Sequence, residues 1–284
     1  MNVRQELTAA LGQQVLHMEG VGGGCIANAA IVTMEDGARY FVKSMPDDQA
    51  PFLQEAHGLE ELAKANALRI PSIQHATPQL LLLEYIEQAP RRTDFMEALG
   101  RGLAAQHRVT SAHYGFYEDN LIGATTQPNV PSDKDISWPA FYWQYRLKHQ
   151  LKVAEQQGIA TDDLRRWMGR LEPRIEGLLS GSEERPALLH GDLWSGNVIS
   201  DERGEPCLID PAVSYGHREA ELGMTHLFGG FSQRFYDAYE EAFPLSPGHK
   251  ERLGLYKLYH VFNHFNLFGH TYYEQTLSLI KRYV

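Results

Sequence analysis

His190-Gly191-Asp192-Leu193-Trp194-Ser195-Gly196-Asn197, followed by Leu208-Ile209-Asp210-Pro211, is the stretch of this 284-residue chain that decides its fold. Asp192 and Asn197 are five residues apart, and Asp210 lies eighteen beyond Asp192. Ala187-Leu188-Leu189 precedes the first acid and Cys207-Leu208-Ile209 the second. Each carboxylate therefore follows an apolar run that reads as a short buried strand. Taken singly, these residues are ordinary: an Asp in a loop caps turns, and an Asn after Gly marks one. Their joint spacing points to a site.

Two carboxylates and one amide oxygen suit phosphoryl transfer to a hydroxyl. A hydroxyl is a poor nucleophile near neutral pH. A carboxylate within hydrogen-bond reach orients it and takes its proton as the phosphoryl group moves. That role falls to Asp192. Asn197 and Asp210 supply a neutral and an anionic oxygen for Mg²⁺, which usually takes only one or two carboxylates beside the phosphates of a nucleotide. The layout is that of a protein-kinase-like catalytic loop and metal-binding strand, with ATP as donor. His190 reads as a buttress of the loop backbone, not as a catalytic group.

The upstream half supplies the matching parts. Lys43 ends the apolar strand Tyr40-Phe41-Val42-Lys43, and its ammonium would neutralise the α- and β-phosphates. Glu55 lies on the following helix and would orient Lys43 as an ion pair. Glu60 and Glu61 share that helix, and Glu55 is preferred by its distance from Lys43. Gly20-Val21-Gly22-Gly23-Gly24 joins the first two strands. Gly22, Gly23 and Gly24 let backbone N–H groups approach phosphates without Cβ interference. Cys25 ends the cluster and reads as a small strand residue. Leu81-Leu82-Leu83-Glu84-Tyr85-Ile86 is the expected hinge strand, with the backbone of Glu84 and Ile86 placed to pair with adenine.

The wider pattern is α+β: a bilobal protein-kinase-like fold with a small β-rich N-terminal lobe (1–87) and a larger, mainly helical C-terminal lobe (88–284). Val3 to Leu11 reads as a helix and Val15 to Met18 as a strand, with a turn from Glu19. Ile26 to Met34 and Arg39 to Lys43 are strands joined by the Asp36-Gly37 turn. Phe52 to Leu68 is helical, Ile70 to Ile73 a connector, and Leu80 to Ile86 a strand. Asp94 to His107 is a helix capped by Thr93 or Asp94. Ser111 to Ser137 is an ordered loop, and Trp138 to Gln157 an aromatic-rich helix. Thr161 caps another helix that runs to about Leu179, and the chain is helical from Glu219 onward except at Pro244 to Gly248. His260 and His264 stand at i, i+4, a metal-ligand spacing, but no third ligand is evident, so they read as core or substrate-cleft packing residues.

Composition narrows the function class. Hydrophobic residues make up 43% and charged residues 22%, as in an ordinary globular protein. No apolar run approaches the ~20 residues of a membrane span. The N-terminus lacks a signal-peptide core, and Cys25 and Cys207 cannot form a disulfide framework, so a cytoplasmic setting is expected. The net charge of −10 and the lack of a long basic run argue against a nucleic-acid partner.

At these residues the chain resembles the fructosamine kinase (ketosamine 3-kinase) family. The resemblance rests on Gly22-Gly23-Gly24-Cys25-Ile26, Phe41-Val42-Lys43, Glu55-Ala56-His57-Gly58-Leu59 and Leu83-Glu84-Tyr85. It continues through the His190–Asn197 and Ile209–Ala212 segments quoted above. It also covers Tyr215 to Thr225, Leu227-Phe228-Gly229-Gly230-Phe231 and Tyr259 to Gly269, and so involves nearly the whole chain. The related aminoglycoside phosphotransferases share the frame but usually lack Leu193-Trp194 and the Gly216-His217-Arg218-Glu219 segment. The resemblance implies transfer of the ATP γ-phosphate to the 3-hydroxyl of a ketosamine, a sugar attached to an amine such as a glycated protein lysine. Ribulosamines or erythrulosamines are implied more than fructosamines. Phosphorylation there makes the adduct prone to β-elimination, which releases the amine. It also implies Asp192 as base, Asn197 and Asp210 as Mg²⁺ ligands, Lys43 and Glu55 as ATP residues, and Trp194 as a wall of the acceptor pocket. Monomer and homodimer both stay open. Another small-molecule kinase of this fold, for an aminoglycoside or choline, is the alternative. A non-catalytic nucleotide-binding regulator would not need to retain Lys43, Asp192, Asn197 and Asp210 together.

Overall fold

Leu80 to Leu83 are four consecutive leucines, all buried. Side chains alternate faces along a strand, so such a run demands cover on both sides. In the computed structural model, which describes residues 3–22, 27–46 and 51–284, it receives that cover. Five antiparallel strands form the sheet: β1 (Val15–Val21), β2 (Asn28–Met34), β3 (Arg39–Ser44), β4 (Ile73–Thr77) and β5 (Leu80–Glu84), in the order β1-β2-β3-β5-β4. Leu80 and Leu82 join Val32, Met34 and Val42 against Leu7 of helix α1 (Val3–Leu11). Leu81 and Leu83 turn the other way, onto Phe52, Ala56 and Leu59 of helix α2 (Phe52–Lys64). The β2–β3 turn closes at Asp36-Gly37, where Gly37 has a φ of 86° and the Ala38 N–H donates to Asp36 Oδ1 at 2.8 Å.

Several boundaries differ from the sequence-based expectation, each for a local reason. Strand β1 continues through Glu19 and Gly20 to Val21, because pairing with Ala29, Ala30 and Ile31 outweighs the glycine turn signal. Helix α2 stops at Lys64, four residues short of Leu68, since Asn66 takes a left-handed φ of 48°. Strand β4 begins at Ile73, the last residue of the expected connector, and its pairing with β5 lends it order that local propensity does not. Gly23, Gly24 and Cys25 lie outside the described residues.

The rest of the chain is mainly helical: α3 (Phe95–His107), the hairpin β6 (Asn120–Ile122) and β7 (Thr125–Gln127), α4 (Trp138–Tyr142), α5 (Lys148–Gln156), α6 (Asp162–Leu171) and α7 (Ile175–Leu179). Then come β8 (Ala187–Leu189), β9 (Val198–Ser200), β10 (Pro206–Leu208), β11 (Ser214–Gly216), α8 (Arg218–Thr225), α9 (Gln233–Ala242), α10 (His249–Phe268) and α11 (Tyr273–Lys281). A π-helical turn, Trp143–Leu147, joins α4 to α5 within the expected single helix. Thr161 caps α6 by accepting the Leu164 N–H at 3.1 Å. Asp94 makes no such cap on α3; its carboxylate pairs with Arg92 instead. Trp138, Phe141, Tyr142, Phe262 and Phe265 lie in one core cluster. Among the described residues no helix is long and apolar enough to cross a membrane.

Helices α3 and α9 approach so closely that a Cβ on Gly100 would stand 2.3 Å from the Phe235 carbonyl oxygen. In an open helix Gly→Ala stabilises by roughly 1 kcal/mol. Here Gly100→Ala is expected to destabilise by about 1–3 kcal/mol through overpacking. Denaturant unfolding of the variant against the parent chain checks the sign.

Candidate active site

Two short ladders, β8 with β11 and β9 with β10, carry the motif residues to the base of the N-terminal sheet. The chain leaves β8 at Leu189, turns through Gly191, and forms a single 3-10 turn at Ser195–Asn197 before β9 begins. Asn197 stitches the two acidic segments together. Its Nδ2 donates to the Asp192 carbonyl at 2.9 Å, to Asp192 Oδ2 at 3.3 Å and to the Asp210 carbonyl at 3.4 Å. All three bonds use the nitrogen, so Oδ1 is the atom left to offer. Asp210 has a left-handed φ of 56°, a strained conformation for a residue with a Cβ and one that clusters at functional sites.

Lys43 reaches these groups from β3. Its Nζ lies 2.7 Å from Glu55 Oε1 and 2.6 Å from Asp210 Oδ1. Burial works against the ammonium charge, but the two carboxylates outweigh it and hold Lys43 above its ordinary range. Glu55 is therefore the acid that meets Lys43. Glu61 instead accepts from the Tyr215 hydroxyl at 2.7 Å and pairs with Lys64, and Glu60 is exposed.

Burial first, and then the neighbouring Asp210 carboxylate, push Asp192 up to about 7. Two acids and an amide crowded in this way form a donor set suited to a hard cation. Among the described residues no group of three or more His, Cys, Asp or Glu stands ready for a metal. A cation held by Asn197 and Asp210 would draw its other ligands from phosphate and water.

A cleft of about 610 Å³ runs between the sheet and the motif loops. Ala29, Ile31, Phe41 and Leu83 form one apolar wall, and Ile199 and Ile209 the facing one. Gly22, Lys43, Glu55, Glu84, Ile86, Asp192, Trp194, Asn197 and Asp210 all line it. At Glu84 the backbone N–H is already used, donating to the Ser72 carbonyl at 2.8 Å. Its carboxylate binds Arg69 at 2.6 Å. A base in the cleft cannot use that N–H. His190 is buried, its Nδ1 accepts the Asp192 N–H at 3.3 Å, and its Nε2 therefore donates to the Ile209 carbonyl at 2.9 Å. Burial holds it below its ordinary range, which fits a neutral buttress.

Trp194 is 40% exposed and lies over Gly196, where a Cβ would come within 2.1 Å of the indole. Phe228 meets the indole edge-on at 6.5 Å, and His264 sits 4.9 Å from Phe228 and 5.1 Å from Tyr272. In this aromatic strip Trp194 was expected as a wall of the acceptor pocket, whereas the Phe228 part was not expected from the sequence as a site. Its one signal was the Phe228-Gly229-Gly230 run: Gly230 has a φ of 88°, and a Cβ there would strike Ser195. The i, i+4 histidines do not form a metal pair. His264 Nδ1 is bound to the His260 carbonyl at 2.7 Å, and His260 is buried, with burial pulling it down to about 3.

The family model described as Fructosamine kinase matches residues 1–284. A relative from Synechocystis sp. assigned as a ketoamine kinase is 38% identical over 288 residues, covering 99% of this chain and 95% of the relative. The chloroplastic protein-ribulosamine 3-kinase of Oryza sativa subsp. japonica is 38% identical over 290 residues, covering 98% and 82%. The crystal structure of a protein from Thermobifida fusca assigned as a fructosamine-3-kinase superposes with a TM-score of 0.89 at 31% identity, covering 99% of this chain and 98% of that one. Choline kinase LicA from Streptococcus pneumoniae, with a TM-score of 0.68 at 15% identity and coverage of 99% and 98%, shares the fold alone. The α+β, protein-kinase-like chain described here belongs to the fructosamine kinase family.

Proposed function

We propose that this chain transfers the γ-phosphate of ATP to the 3-hydroxyl of ketosamines, with residues 1–87 holding the nucleotide and 88–284 presenting the acceptor. The observation that carries this reading is the meeting of Lys43 with Glu55 and Asp210, at 2.7 and 2.6 Å, in the cleft that Asp192 and Asn197 also line. Family membership supports ATP as donor. The names borne by the relatives support a sugar–amine adduct as acceptor, either a small molecule or a glycated protein amine.

In this reading the apolar walls take the adenine, with Ile86 at the hinge, and Gly22 lies where the phosphates enter. Lys43, fixed by Glu55, sets its charge against the phosphates. Asn197 and Asp210 would hold Mg²⁺, which when bound neutralises charge on the β- and γ-phosphates. Asp192 accepts the hydrogen bond of the acceptor hydroxyl, aligns its oxygen with the γ-phosphorus and takes its proton. Its raised proton affinity suits that last duty, because a base that must receive a proton works best with a pKa near the working pH. Trp194 stacks on the sugar and excludes water from that side.

Coupled ADP release with ribulosamine, erythrulosamine and fructosamine conjugates, run beside aminoglycosides and choline, tests the assignment. Turnover confined to the last two would overturn it. On the preferred ketosamine, Asp192→Asn is expected to lower kcat by about 10²–10⁴-fold, the usual reach of a general base. Its KM for ATP should stay within about threefold, since in this reading Asp192 contacts the acceptor. Trp194→Ala should raise the ketosamine KM about tenfold, equivalent to about 1.4 kcal/mol, and leave the KM for ATP unchanged. Initial-rate kinetics with each substrate varied separately distinguishes the two effects.

A further inference from the structure

Helix α2 carries Glu55, and its own ends do little to hold it. It has thirteen residues, a length at which an isolated helix is marginal in water. Pro51, at its start, provides no side-chain cap, and the chain leaves it through the left-handed Asn66. Packing must therefore fix its place. Phe52, Ala56 and Leu59 face the sheet. A second side meets the C-terminal lobe just past Asp210. A Cβ on Gly58 would stand 3.1 Å from Val213 Cγ2 and 3.6 Å from Pro211 Cγ, and Leu62 is buried with Val213, Phe116 and Leu188. Apolar contacts are non-directional, so they set rotation and register only loosely.

Two polar contacts add direction. His57 Nδ1 lies 2.6 Å from Glu118 Oε1, but these side chains are 39% and 24% exposed, and pairs so open to water contribute little. The second contact is better protected. The Tyr215 hydroxyl donates to Glu61 Oε1 at 2.7 Å, with the Glu61 side chain 18% exposed. Burial first, and then Glu61, hold the Tyr215 phenol above its ordinary range, so it stays a donor. Burial raises Glu61 too, but Lys64 and the Tyr215 hydroxyl prevail and keep it below its ordinary range, so it stays a charged acceptor. A hydrogen bond to an ionised acceptor is about twice as strong as a neutral one. The anchor is also rigid. Tyr215 exchanges both backbone hydrogen bonds with Gly115, at 2.7 and 2.8 Å, and pairs with Leu188 across the β8–β11 ladder.

Glu55 and Glu61 are six residues apart, which separates them by about 9 Å along the helix axis and about 120° around it. Glu55 points to Lys43 and Glu61 to Tyr215, so α2 cannot turn without losing one of the two. We propose that Tyr215 and Glu61 are positioning residues: their hydrogen bond locks α2 to the strand that follows Asp210 and thereby keeps Glu55 on Lys43 before any nucleotide arrives. Neither residue lines the cleft, so the lock acts only through α2. The role rests on Lys43 serving the phosphates, as proposed above. It predicts a loss confined to the nucleotide side.

Tyr215→Phe removes one oxygen and keeps the ring. Calorimetric titration with ATP and Mg²⁺, with no acceptor present, should give a Kd about 3- to 10-fold above the parent. The ketosamine KM should stay within about twofold. Glu61→Ala should match the loss of ATP affinity, while Glu61→Gln, which keeps an oxygen for the hydroxyl, should stay within about twofold of the parent. The double variant, Tyr215→Phe with Glu61→Ala, should bind ATP no more weakly than either single one, the non-additivity of two partners in one contact. Glu60→Ala, at an exposed position of the same helix, is the control and should leave Kd unchanged. A Kd in Tyr215→Phe within about twofold of the parent would overturn the proposal, even if its melting temperature falls. So would fully additive losses in the double variant. Lys43→Met separates this proposal from the one it rests on. If that variant binds ATP as the parent does, the reading of the nucleotide site has failed. If it binds weakly while Tyr215→Phe does not, the lock alone has failed.

Discussion

The contact between Lys43 and Asp210, 2.6 Å long, is the constraint on which the site depends. It spans 167 residues of sequence and joins the N-terminal sheet to the segment after β10. Neither group is comfortable alone. Lys43 is largely withdrawn from water, and Asp210 is held at a left-handed φ of 56° beside a second acid. Each supplies what the other lacks, and Glu55 completes the balance from α2. Removing one partner would leave an uncompensated charge in a poorly solvated cleft, which is why such a cluster rarely persists without function.

The surroundings hold this cluster by backbone rather than by further charge. Asn197 bonds to both acidic segments through one nitrogen. His190 ties Asp192 to the Ile209 carbonyl. On the far side, Asn120 Nδ2 donates to the Val213 carbonyl at 2.8 Å, and Gln127 Nε2 to the Ala212 carbonyl at 3.0 Å, so the β6–β7 hairpin grips the chain just past Asp210. Neutral donors of this kind fix geometry without adding to the acidic crowding that the cleft already carries.

Much of the fold was legible before any coordinates. The continuous leucine run Leu80–Leu83, the Asp36-Gly37 turn and the Thr161 cap are local signals, and each forms as expected. The misses are of another kind. Strand β4 and the β6–β7 hairpin lack strong propensity and exist because a partner strand or a buried network recruits them. Asp94 failed as a cap because Arg92, two residues away, competes for its carboxylate. The strip of exposed Trp194 and Phe228 with half-buried His264 and Tyr272 draws on three separate segments, so no single window of sequence could display it whole.

By itself the sequence determined the chemical inventory: which side chains can carry charge, ligate through oxygen or pair with phosphate, and the order in which strands deliver them. Spacing along a chain is preserved whatever the fold, so the Asp192–Asn197–Asp210 set could be read directly. Which carboxylate meets Lys43 and which nitrogen of His190 carries the proton were decided by tertiary structure alone. Those choices depend on distances of a few ångströms between segments more than a hundred residues apart in some cases, and only packing sets such distances.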